Sequence, residues 1–167
     1  MLTLEEQKKA KPEYQIVVNL FLKDETKKNL DDLVKHIADL KLKPHWYAFN
    51  AFSVKYKSKT IFRFTINGDN TFTIFFSIVD KKEDINIVVS KLPKDMQDFY
   101  FENFRRCTNN TRFCKPEHKD KNKIVILGKE YKYCAAPEFV IHNPTKEQLR
   151  YIERFVLMRK ENIASLN

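Results

Sequence analysis

The chain has 167 residues, of which 43% are hydrophobic and 13% aromatic, enough apolar side chain to fill a core, so whole-chain disorder is excluded. Two glycines leave no Gly-rich phosphate loop, and neither the dinucleotide-binding nor the P-loop glycine pattern occurs. With 31 basic against 22 acidic residues the net charge is +9, which fits an anionic partner and equally fits ordinary solubilising charge.

Residues 1–13 are polar and read as a frayed lead-in or a short exposed helix. The apolar run 14–22, YQIVVNLFL, has strand length and is assigned as a strand, although its spacing also suits a buried helix turn. From Asp24 the period changes. Leu30, Leu33, Val34, Ile37 and Leu40 recur at helical spacing, with Asp24 or Thr26 as the expected cap and Pro44 as the stop.

Three alternating segments follow, built on Phe52, Val54 and Tyr56, then Phe62, Phe64 and Ile66, then Phe72, Ile74, Phe76 and Ile78. They predict a three-stranded antiparallel meander with one apolar face. The other face carries Lys55, Arg63, Thr65, Thr71, Thr73 and Ser77, with Phe75 as its one large apolar residue. Asp84 is placed to cap a short helix ending near Pro93. A second helix then presents Met96, Phe99, Tyr100 and Phe104 on one face and ends at Arg105 and Arg106, where cations suit the helix dipole.

Residues 107–122 have no hydrophobic period and read as the longest loop. A hairpin is predicted over 123–134, turning at Gly128 and Lys129, followed by a short strand over 139–141. The final helix is announced by Thr145 and Gln148 in capping-box spacing after Pro144, then by Leu149, Ile152, Phe155, Val156 and Ile163. The fold class predicted is α+β: an antiparallel β-meander packed against helices, with a basic loop and a second hairpin before a C-terminal helix. Residues 14–167 are expected to form a single domain after the 1–13 lead-in.

No apolar run reaches 18 residues, and the odd count of three cysteines precludes complete internal pairing, so a cytoplasmic protein without a membrane partner is expected. Cys107, Cys114, His118 and Cys134 are spaced C-x6-C-x3-H-x15-C. Three thiolates and an imidazole are chemically a tetrahedral zinc set, although no C-x-x-C knuckle is present. The same cysteines also read as small packing residues with one ordinary loop thiol, or as a redox cluster. His45, Trp46 and Tyr47 are a candidate ligand pocket; as residues preceding a sheet they equally suit core packing. The carboxylates show no glycosidase pairing, and no nucleophile elbow, zinc-protease helix or kinase signature occurs, so no catalytic residue is assigned.

Charge placement says more. Residues 105–132 hold nine cations and three acids, a local +6. Arg105, Arg106, Arg112, Lys115, Lys119, Lys121 and Lys123 are the candidate contacts to an anionic partner, with Phe113, Tyr131 and Tyr133 nearby for stacking. Lys outnumbers Arg 24 to 7, which weighs against readout of specific bases. The leading expectation is a non-enzymatic cytoplasmic binding module for nucleic acid or an acidic protein, using this loop or the polar face of the meander and needing no cofactor. The alternative is a thiol- or metal-centred protein with structural zinc or a redox cluster at Cys107, Cys114, Cys134 and His118.

Taken together, Trp46-Tyr47, Phe62-Arg63-Phe64, Asn103-Phe104-Arg105-Arg106-Cys107, Gly128-Lys129-Glu130-Tyr131, Cys134 and Asn143-Pro144-Thr145 resemble an uncharacterised family of small bacterial proteins, a domain of unknown function. The resemblance runs from about residue 14 onward. It implies additional cysteines near the positions of Cys107 and Cys134, a cluster thinned in this chain, and it brings no activity, substrate or cofactor.

Overall fold

The structure, a computed structural model, describes residues 3–79, 83–104, 123–133 and 138–165. They form an α+β protein with six helices, a five-stranded antiparallel sheet and a two-stranded hairpin. The chain divides into two compact units: residues 1–76 with 141–167, and residues 77–140.

The first unit opens with α1 (Leu4–Ala10), whose capping box joins Thr3 and Glu6. The reciprocal bonds hold the Glu6 carboxyl below the usual carboxylate range, chiefly through the Thr3 backbone N–H. Of the two readings of residues 1–13, α1 is the short, largely exposed helix. Its Gln7 is buried, donates through Nε2 to Asn50 Oδ1 at 2.7 Å, and accepts from the Asn50 backbone N–H at 2.9 Å.

Residues 14–21 correct the strand expectation, for they form a helix, α2 (Tyr14–Phe21). Val17 and Val18, with Leu22 just beyond the end, are buried at helical spacing, while Ile16 and Leu20 lie more than half exposed. Those two outward apolar residues fill the gaps in the helical stripe and make the segment look like a continuous strand.

α3 (Asp24–Asp39) buries Leu30, Leu33, Val34 and Ile37, as its period predicts. Its N-cap is Lys23 with no side-chain bond, so neither Asp24 nor Thr26 caps it; the Lys23 N–H donates instead to Asn70 Oδ1 at 2.7 Å.

The sheet has the order β1 (Pro44–Ala48), β2 (Ala51–Tyr56), β3 (Lys59–Ile66), β4 (Phe72–Phe76) and β7 (Phe139–His142). The meander therefore gains an edge strand, β1, whose opening Pro44 costs no ladder bond at that position. On the core face Phe52 stacks on Phe64 at 5.4 Å, and Phe62 stacks on Phe76 at 6.1 Å. α6 (Lys146–Ser165) covers this face, setting Phe155 5.8 Å from Phe76 and packing on α3. Its capping box is as predicted: Gln148 N–H donates to Thr145 Oγ1, and Thr145 N–H to Gln148 Oε1. Arg159 of α6 is fully buried.

In the second unit, Asp84 caps α4 (Ile85–Ser90), and Pro93 starts α5 (Lys94–Asn103). β5 (Lys123–Ile126) and β6 (Lys129–Lys132) make the second hairpin. Its two-residue turn is Leu127 and Gly128, both at positive φ, one residue earlier than predicted. Asn86 clamps this hairpin, donating to the Val125 carbonyl at 3.0 Å and accepting from Leu127 N–H at 2.8 Å. Phe99, Tyr100, Phe104 and Phe139 form an edge-to-face aromatic cluster.

Candidate binding face

The face of the sheet away from the phenylalanine stacks carries polar and aromatic side chains, of which His45, Tyr47 and His142 are exposed while Ala51, Ser53 and Thr73 are buried. Register places His45 of β1 opposite Ser53 of β2, Ser53 opposite Arg63 of β3, and Arg63 opposite Phe75 of β4. One row thus crosses four strands. Beside it Ala51, Thr65 and Thr73 form a row of smaller residues, and His142 of β7 joins that row through a 2.9 Å bond between its Nδ1 and Thr73 Oγ1.

Tyr47 joins the first row through a defect in the ladder. The register of β1 on β2 shifts between Trp46 and Ala48, leaving Tyr47 without a cross-strand partner. Such a bulge re-aims the side chain at its apex. The Tyr47 ring, 54% exposed, lies with its centroid 5.8 Å from the Arg63 guanidinium carbon, and Phe75 flanks the same guanidinium at 5.9 Å. Two cation–π contacts of about 0.5–1 kcal/mol each at an open site restrict a side chain that is otherwise rich in rotamers.

None of the residues in the five strands is Asp or Glu, whereas Lys55 and Arg63 are cationic and His45 and His142 are exposed. Asp69 accepts from Thr71 in the β3–β4 loop. Asn67 donates to both Thr71 Oγ1 and Thr73 Oγ1, fixing the hydroxyls at that end of the face.

The second unit contains a cavity of about 410 Å³ lined by Lys94, Gln97, Asp98, Phe101, Glu102, Ile126, Leu127, Lys129 and Tyr131. Its charges balance, with Lys94 bonded to Asp98 at 2.6 Å, so it does not discriminate in favour of an anion. Phe101 and Tyr131 stack at 5.5 Å along its wall. Next to them burial pushes the Tyr100 phenol well above its ordinary range, and its hydroxyl has no partner among the described residues.

The residues singled out in the sequence divide as follows. His45, Trp46 and Tyr47 all fall on β1, but Trp46 sits opposite Phe52 on the core side and reaches Gln7 Oε1 at 3.5 Å, whereas His45 is exposed on the polar side. They do not converge on one pocket. Lys123 is exposed on β5, 3.5 Å from Glu130. Arg105, Arg106, Arg112, Lys115, Lys119 and Lys121 lie outside the described residues, as do the candidate metal ligands Cys107, Cys114, His118 and Cys134. Among the described residues no group of three His, Cys, Asp or Glu side chains is arranged to hold a metal ion. No helix there is long and apolar enough to cross a membrane.

Sequence reasoning placed Arg63 and Phe75 on the polar face but did not join them to Tyr47. The available signal was one arginine and one phenylalanine interrupting a face of threonines; the bulge that supplies Tyr47 has no sequence signature of its own. Comparison of the chain with protein-family models, curated proteins and solved structures finds no match.

Proposed function

We propose that the protein is a non-enzymatic cytoplasmic binding module that engages an anionic partner across the polar face of its sheet. The observation that carries this reading is the Arg63 guanidinium held between Tyr47 and Phe75 on a sheet whose strands contain no carboxylate. A sheet face that merely faced water would gain from mixed charges, which favour solubility and cross-strand pairing. This one carries Lys55 and Arg63 on strands without a carboxylate, and a planar guanidinium suits phosphate or carboxylate oxygens. The net charge of +9 adds attraction at longer range.

The basic segment 105–132 is a second contact in this reading, and the two are separable by substitution. Affinity for heparin, used as a generic polyanion, is measured as a function of salt for the whole chain, for Arg63→Gln, and for a Lys119→Gln, Lys121→Gln, Lys123→Gln triple variant. The expected result is salt-dependent binding that Arg63→Gln weakens by about three- to tenfold, consistent with losing one charge-assisted contact. A larger loss in the triple variant, with Arg63→Gln neutral, transfers the site to the basic segment. Absence of salt-dependent binding by the parent chain rejects the reading altogether.

A further inference from the structure

We infer that the cavity of the second unit binds a small zwitterion with an apolar body, an α-amino acid whose side chain is aromatic or branched aliphatic. This goes beyond the anion-binding reading and concerns other residues, so the heparin experiment leaves it untouched. The two walls of the cavity, its two unmatched charges and the turn at its rim carry the inference.

One wall is α5. Its buried stripe is Met96, Phe99 and Tyr100, and the stripe beside it, Lys94, Gln97, Asp98, Phe101 and Glu102, lines the cavity at helical spacing. The other wall is the β5–β6 hairpin. Ile126 pairs with Lys129, and residues paired across an antiparallel ladder share a face. Tyr131, two residues further along the strand, falls on that face too. Ile126 and Tyr131 are buried, so Lys129 is a cation on the otherwise apolar side of the hairpin. A lysine serving solubility alone belongs on the opposite face, where Lys123, Glu130 and Lys132 stand. Departures of this kind from the local pattern concentrate at functional sites.

The charges around the cavity divide in two. Lys94 and Asp98 neutralise each other at 2.6 Å. Glu102 and Lys129 have no hydrogen bond or ion pair with any described residue, each other included. One carboxylate and one ammonium over the same cavity complement the ammonium and carboxylate of a single ligand. A plain anion or a plain cation satisfies only one of them and is repelled by the other.

The Phe101 ring, stacked on Tyr131 at 5.5 Å, and Leu127 supply the apolar part of the lining. Leu127 has φ 47°, in the left-handed region that a two-residue hairpin turn ordinarily gives to Asn, Asp or Gly. Asn86 Oδ1 holds it there, accepting from the Leu127 N–H at 2.8 Å. The turn thus keeps a leucine, 43% exposed, at a strained position on the rim of a cavity. The volume, about 410 Å³, suits one small molecule.

The test is isothermal titration calorimetry of the full chain with L-phenylalanine and L-leucine. The controls are hydrocinnamate and isocaproate, which lack the ammonium, phenethylamine and isoamylamine, which lack the carboxylate, and L-alanine, which lacks the body. Expected is a Kd of about 1 mM or tighter for at least one of the two amino acids. Each matching control should bind at least about tenfold more weakly. Lys129→Met should erase the preference for the amino acid over its amine, and Glu102→Gln the preference over its acid, because each variant removes the partner of the group that the control lacks. Both side chains are exposed, so neither substitution disturbs the core.

Failure of both amino acids to bind overturns the inference. So does a control lacking one charged group that binds as tightly as its parent. Binding that keeps its affinity and both preferences in the two variants places the ligand elsewhere and overturns it as well.

Discussion

At the scale of single residues, the polar atoms that stand inside the molecule separate into supported and unsupported ones. Gln7 belongs to the first kind, since its amide closes a two-bond ring with Asn50 and ties α1 to the β1–β2 turn, where Asn50 sits in the left-handed region. Tyr100 belongs to the second. Its hydroxyl is buried without a partner among the described residues, and burial raises its ionisation well above the ordinary tyrosine range. A buried, unsatisfied hydroxyl costs about 1–3 kcal/mol, so Tyr100→Phe is expected to stabilise the protein by about 1 kcal/mol in urea unfolding at neutral pH. The gain should widen in alkali. The folded-state value lies above the unfolded one, so the stability tied to the protonated phenol is intact below about pH 10 and falls away as pH rises beyond it; the phenylalanine variant has no such loss. A variant less stable than the parent would mean that the hydroxyl is satisfied after all.

At the scale of elements, the best-delimited helix is the most readily tested. Thr145 and Gln148 satisfy each other's backbone N–H groups at the start of α6, and Thr145→Ala is expected to cost about 1 kcal/mol, read as a lower urea midpoint with an unchanged slope. That capping box, the period of α3, the Asp84 cap and the alternation of β2–β4 were all legible in the sequence, because each is a local pattern that its surroundings reinforce. What was not legible depended on distant partners. α2 hides a buried stripe among outward Ile16 and Leu20, and only the sheet beneath it decides that Val17 and Val18 turn inward. β1 is five residues long and opens with proline, so it offers too little alternation to read as a strand. The candidate face was half legible: polarity alternation gave Arg63 and Phe75, but the row of Tyr47, Arg63 and Phe75 exists only through the register of three ladders and one bulge. The cysteine set and most of the basic segment concern residues outside those described.

At the scale of the whole molecule, the excess of nine positive charges opposes compaction, and none of the five strands supplies a carboxylate to offset it locally. Raising ionic strength from about 0.01 to 0.15 M shortens the Debye length from about 30 to 8 Å, so the melting temperature should rise with sodium chloride even as affinity for a polyanion falls. A melting temperature that falls with salt would indicate that favourable ion pairs outweigh the net repulsion. The division of the chain has a consequence in time. The first unit is discontinuous: its sheet is encoded largely before residue 77, but α6, which covers the Phe62–Phe76 stack with Phe155, is encoded after residue 140. At about 5–20 residues per second, the 64 residues between them take a ribosome roughly 3 to 13 s to make. For that interval the nascent chain carries a phenylalanine-lined surface whose cover has not been translated, so a factor that shields emerging chains has a defined window, and a defined patch, in which to act.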